Sequence, residues 1–122
     1  MKKFLFLLVC LIATIGLSAQ DKKVAFKSAT ASSYQSGEEV SKAIDGKPGT
    51  IWHSSWYSTS FPVTLTVTLS EESHIDYLRY TPRQDGNVNG NWENVTVEYT
   101  ATTSDNNFTL IGDYNLGGSG AA

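Results

Sequence analysis

Two short stretches hold most of the side chains able to do chemistry. The first, "DGKPGTIWHSSW" (residues 45–56), places a carboxylate, a hydroxyl, a histidine and two tryptophans within one short run. Asp45-Gly46 and Pro48-Gly49 spell two successive turns that return Thr50 toward Asp45. A coil of that kind aims backbone carbonyls inward beside the Asp45 carboxylate and the Thr50 hydroxyl. All-oxygen ligation suits a hard cation, calcium in particular. On spacing alone, an aspartate capping its own turn is the simpler reading. Trp52 follows Ile51 and leads inward, so it is expected in the core. Trp56 stands among Ser54, Ser55, Tyr57, Ser58, Thr59 and Ser60, a setting that predicts the surface or the mouth of a pocket. Sugar rings offer C–H faces to aromatic planes, and their hydroxyls need charged or amide partners. His53 beside Trp56 is one such partner. Arg83 in the second stretch, "YTPRQDGNVNG" (residues 80–90), is another. Taken singly, each reads first as a satisfied structural residue and only second as a ligand contact.

Catalysis finds little support in the same residues. A hydrolase needs a nucleophile with a base, two facing carboxylates, or a metal held by histidines. The chain has two histidines, His53 and His74, and no HExxH. Ser54 or Ser55 with His53 and Asp45 would make a Ser–His–Asp set, but neighbours on one short loop lack the independent positioning such a triad requires. His74 opens an apolar stretch and is expected at the surface. Asn94 and Asn107 begin formal N-x-Ser/Thr sequons.

The elements that must position these residues are mostly strands. The chain has 122 residues, the size of one domain. Lys2 and Lys3 precede an apolar run over residues 4–15, followed by small and polar residues, so residues 1–20 are expected to be a signal peptide cleaved after Ala19 or Gln20. The predicted location is therefore outside the cytoplasm: secreted, periplasmic or at the cell surface. Cys10, the single cysteine, lies inside the apolar run and not at its end, which argues against lipidation. Losing Lys2 and Lys3 takes the formal net charge from −3 to −5. An acidic domain without a basic cluster is a poor partner for nucleic acid or an anionic membrane.

"VTLTVTL" (63–69) alternates apolar and hydroxyl side chains, as a half-buried strand does. Residues 95–100 repeat the pattern with Val95, Val97 and Tyr99 inward. Residues 74–83 are strand-like, with a bulge needed to reconcile Ile75 and Leu78. Shorter strands are predicted over 24–28 and 108–112, and Tyr77, Tyr80 and Tyr99 are expected in the core or on a sheet face. One helical turn is predicted: Ser36 to Glu39 reads as a capping box, with Val40, Ala43 and Ile44 on one face. Short strands with one small helix argue for an all-β sandwich.

"SATASS", "AIDGKPGTIWHSSW", the alternating strand and "YTPRQDGNVNG" occur in the order and approximate spacing of a known family. The chain resembles the coagulation factor V/VIII C-type (discoidin) domain and, within that group, carbohydrate-binding module family 32. The resemblance runs over residues 27–116, within a domain placed at 24–116. It implies an antiparallel jelly-roll β-sandwich of the galactose-binding-domain type, with a structural calcium near the Asp-Gly coil. Asp45 and Thr50 match the calcium ligands, with carbonyls of Lys42 and Lys47. A shallow loop site for terminal sugars, such as galactose or N-acetylgalactosamine, is implied at one end. His53, Trp56, Arg83 and Asn89 fall on its sugar-binding positions. A glutamate facing the sugar is matched by Gln35, Glu38 or Glu39, with Glu38 first. The family continues past the strand near Phe108 with further strands and an acidic calcium ligand. The fold is therefore expected without its last strands, residues 117–122 forming a flexible or truncated end. The implied function is non-catalytic glycan binding, as part of a larger glycan- or mucin-degrading protein. The alternative is an adhesion module of the same fold with a protein partner. Lipid binding is disfavoured by the polar loop at 54–60 and the acidic charge.

Overall fold

The computed structural model describes residues 21–118; the predicted signal peptide with Cys10, and residues 119–122, lie outside them. The architecture is all-β and antiparallel, as alternation predicts. β1 (Phe26–Ala31) pairs with β2 (Leu65–Leu69), and β3 (Asn94–Tyr99) pairs with β4 (Thr109–Asn115), giving two two-stranded sheets. These antiparallel sheets and the near absence of helix agree with the galactose-binding-like β-sandwich expected from the sequence.

Each ladder contains one irregularity. β1 runs from Phe26 opposite Leu69 to Ala31 opposite Leu65, with Lys27 as the extra residue. In the second ladder Val97 faces Gly112 and Glu98 faces Leu110, which leaves Ile111 as the extra residue of β4. Such bulges bend and twist a strand locally. The first strand lies later than the predicted 24–28 because its register is set by β2. Beyond Ala31 one side chain joins the pairing: Thr64 donates its N–H to the Ser32 hydroxyl at 2.9 Å, while Ser32 N–H donates to the Thr64 carbonyl at 3.0 Å. β2 is correspondingly shorter than the predicted 63–69.

Two predicted elements depart from expectation. Residues 74–83 form no strand, because among the described residues no strand lies alongside to accept their backbone bonds. Leu78 is accordingly exposed, and Tyr77 reaches out to Asp21 through a 2.8 Å bond rather than packing in a core. The capping box also fails. Gly37 sits at φ +85°, and Glu38 N–H bonds back to the Gln35 carbonyl at 2.9 Å, closing a turn where the helix would start. What remains is a 3₁₀ turn, Val40–Ala43, whose N-cap residue Glu39 makes no side-chain cap.

No hydrophobic side chain is fully buried among the described residues. Val95 and Val97 are half-buried as alternation requires, but Tyr99 is exposed, contrary to its expected inward position. Trp52, expected in the core, is half-buried. Its packing is aromatic: the Tyr80 and Trp92 rings stack at 4.5 Å and 8°, and Trp52 meets Trp92 edge-on at 6.1 Å. The polar ends of the cluster are satisfied. Trp52 Nε1 donates to the Ser33 carbonyl at 3.1 Å, and Tyr80 Oη accepts the Trp92 N–H at 3.0 Å. Gly118 N–H donates to the Trp92 carbonyl at 3.1 Å, so the chain after β4 turns back onto this cluster.

Candidate binding cleft

Three segments converge on one open cleft. The turn at 35–38 and the stretch 53–56 are tied by backbone bonds, Gln35 N–H to the His53 carbonyl at 2.8 Å and His53 N–H to the Glu38 carbonyl at 3.3 Å, and the loop 83–90 meets them at the cleft. The cleft has a volume of about 340 Å³ and is lined by Glu38, His53, Trp56, Arg83, Asn87 and Asn89. All five sugar-site residues expected from the sequence, Glu38, His53, Trp56, Arg83 and Asn89, therefore share one cavity. Asn87 was missed. The signal available for it was the run of amides in "NVNG", of which only Asn89 matched the family pattern.

Arg83 is held as a fixed donor. Its Nε donates to Asp85 Oδ1 at 2.8 Å, a terminal nitrogen donates to Asp85 Oδ2 at 2.5 Å, and the other donates to the Asn89 carbonyl at 3.2 Å. This fork-on-fork pairing restricts a long side chain to one geometry. The Arg83 guanidinium and then the Asn87 N–H hold the Asp85 carboxyl down to about 2. Asp85 also shapes the loop, accepting the Asn87 N–H at 3.1 Å, while Asn87 Oδ1 accepts the Asn89 N–H at 2.9 Å.

His53 is fixed in tautomer as well as position. Its Nδ1 lies 2.6 Å from the Ser54 carbonyl, an acceptor, so Nδ1 carries the hydrogen. In the neutral ring Nε2 is then an acceptor. The loop approaches it closely at Gly90: φ is +80°, and a β-carbon there would lie 2.4 Å from His53 Nε2. The His53 and Trp56 rings meet edge-to-face at 6.5 Å, and Trp56 is 57% exposed, in keeping with a pocket mouth.

The alternatives for the glutamate position separate clearly. The Gln35 carboxamide oxygen accepts the Trp56 N–H at 3.1 Å, making Gln35 a brace. Glu39 accepts the Gly37 N–H at 2.8 Å and lies 3.8 Å from Lys42 Nζ, away from the cleft. Glu38 lines the cleft, and its Oε2, shut off from solvent, has no hydrogen-bond partner among the described residues. The Ser–His–Asp set is not assembled. His53 Nδ1 is committed to a backbone carbonyl, the Ser55 hydroxyl lies 2.9 Å from that of Ser58, and Asp45 is engaged elsewhere.

Asp45 organises the other candidate site. Oδ1 accepts the Lys47 N–H at 2.8 Å and Oδ2 accepts the Thr50 hydroxyl at 2.7 Å, with the Lys47 carbonyl 3.0 Å from that hydroxyl oxygen. The Thr50 hydroxyl, then the Lys47 N–H, lowers the Asp45 carboxyl below its ordinary range. The oxygens are of the kind calcium takes, but fewer than the six to eight it needs. No cluster of three or more His, Cys, Asp or Glu side chains fit for a metal occurs among the described residues. Lys42 lies in the 3₁₀ turn, where its ammonium donates to the Gly37 carbonyl. His74 pairs with Asp76 at 3.2 Å on the exposed surface, as expected.

Residues 28–121 match the family described as F5/8 type C domain. Two curated proteins called galactose oxidase, both from Gibberella zeae, are each 41% identical to this chain over 64 residues. The alignment covers 50% of this chain and 9% of each relative, so the chain spans a small part of the proteins it matches.

Proposed function

The chain belongs to the F5/8 type C domain family, and from that premise we propose that it is an exported, non-catalytic module that binds terminal sugars such as galactose or N-acetylgalactosamine. The observation that carries this reading is the convergence of Glu38, His53, Trp56, Arg83, Asn87 and Asn89 on one cleft. Together they offer what a pyranose requires. Arg83 donates, Glu38 and His53 Nε2 accept, the two amides do both, and Trp56 gives an apolar plane for a C–H face. Glu38, whose Oε2 has no partner among the described residues, supports an acceptor role at the cleft, since leaving such a group unpaired is costly. The partial likeness to proteins called galactose oxidase supports a sugar ligand and attachment to a larger, enzymatic chain.

The cleft stands at the small end of ligand sites, which run from roughly 300 to 1,000 Å³. Few atoms are desolvated there, so the expected Kd for a monosaccharide is roughly 0.1–1 mM. Useful retention then comes from tethering or repetition. The signal peptide read in residues 1–20 supports export. Calcium at Asp45 and Thr50, with the Lys42 and Lys47 carbonyls, belongs to the same proposal as a structural ion with no part in sugar binding.

Calorimetric titration of the chain with galactose and with N-acetylgalactosamine tests the reading. Weak saturable heat that disappears in His53→Ala and Arg83→Ala is expected. Absence of heat from a chain shown by circular dichroism to be folded would overturn it.

A further inference from the structure

Beside the cleft stands an aromatic side chain that the monosaccharide site does not use. Tyr57 is 93% exposed, and its ring meets Trp56 edge-to-face at 6.4 Å and 74°. Both faces of the phenol ring are therefore open. This exposure differs in kind from that of Leu110, Ile111 and Tyr114, which project from strand β4. Tyr57 stands on a loop next to a cleft wall, and the loop is held on both sides. Ser55 N–H donates to the Ser33 hydroxyl at 2.9 Å, that hydroxyl lies 3.0 Å from the Thr59 hydroxyl, and Thr59 donates to the Ser55 carbonyl at 2.6 Å. The Ser55 and Ser58 hydroxyls lie 2.9 Å apart, and Trp56 N–H is tied to Gln35. Bracing of this kind spares the loop around Tyr57 much of the ordering cost that binding would otherwise exact.

We propose that Tyr57 forms a second subsite, which stacks against the next ring of a di- or oligosaccharide whose terminal sugar occupies the Trp56 cleft. The inference rests on the sugar-binding reading and deepens it. The ligand is then a short chain of neutral sugars, not a free monosaccharide. Trp56 and Tyr57, with planes near perpendicular, form two walls of a corner. Trp56 lines the cleft, and Tyr57, outside its lining, adds an exposed ring next to that wall. The small cleft volume and the acidic charge of the domain fit a neutral chain that extends beyond the cavity. Stacking on an aromatic face of this kind corresponds to a gain of roughly 3- to 10-fold in affinity.

The test is calorimetric titration of the full chain with galactose, lactose and melibiose, repeated for Tyr57→Ala and Tyr57→Phe. The expected result is tighter binding of at least one disaccharide than of galactose, by roughly 3- to 10-fold. That gain is lost in Tyr57→Ala and kept in Tyr57→Phe, with galactose affinity unchanged in both. Disaccharides no tighter than galactose, or a Tyr57→Ala variant weakened equally toward all three sugars, would refute the second subsite and leave the cleft reading standing. Tyr57-dependent binding to phosphatidylserine vesicles without a disaccharide gain would likewise refute it. No heat with any of the three from a folded chain would fail the sugar-binding reading itself.

Discussion

Arg83 and Asp85 show how a surface arginine becomes a directed donor. The pair is partly exposed, so its worth lies in geometry more than in stability. Asp85 is held at about 2 against an ordinary value of 3.8. A carboxyl depressed on folding contributes stability that is present above its ordinary value and is lost as pH falls from there toward about 2. A carbon-13 titration of the Asp85 carboxyl should therefore show its midpoint near 2, and a midpoint at 3.8 would mean that the clamp does not hold in solution. Gly90 makes a second prediction at this scale. Alanine there must adopt a left-handed conformation and would meet the His53 imidazole, so His53 has to move. Gly90→Ala should lower stability by about 1–2 kcal/mol and weaken galactose binding, read by thermal melting and titration.

The elements that carry the cleft are loops, and they are organised by the Tyr80–Trp92–Trp52 cluster rather than by a sheet. Trp52 immediately precedes His53, and Tyr80 leads into the Arg83 loop. The stack therefore anchors two of the three segments that meet at the site. Trp92→Ala should cost about 2–3 kcal/mol, less than truncation of a fully buried tryptophan because this ring is half-buried. It should weaken sugar binding too, although Trp92 does not line the cleft. Retained affinity with lowered melting temperature would show that the loops hold their positions without the stack. Sequence periodicity revealed β2 and β3 well, since alternating residues on a half-buried strand leave a period of two. It misread residues 74–83, where strand-like side chains lack a neighbouring strand, and the helical turn, where Gly37 reverses the chain.

At the scale of the whole molecule, residues 21–118 bury no hydrophobic side chain fully, and a small domain without a disulfide has few other sources of stability. The calcium proposed at the Asp45 coil has its test at this scale. Calcium is expected to raise the melting temperature of the chain, and Asp45→Ala to abolish that rise; scanning calorimetry with calcium and with a chelator checks both. An unchanged melting temperature would assign Asp45 to its turn alone.

What the sequence determined by itself was local. Alternation set the all-β class, the Asp-Gly and Pro-Gly pairs set the coil that returns Thr50 to Asp45, and the polar surroundings of Trp56 set its exposure. The family pattern added His53, Arg83 and Asn89. Only the tertiary structure decided which of these meet. Glu38, His53 and Arg83 are far apart in the chain and share a cleft because backbone bonds from the 35–38 turn close on His53 while the aromatic stack draws in the 83–90 loop. The same closure separated Glu38 from Gln35 and Glu39 and added Asn87. Turn chemistry acts between near neighbours and is written in residue order, whereas the convergence of distant loops depends on packing that no single stretch contains.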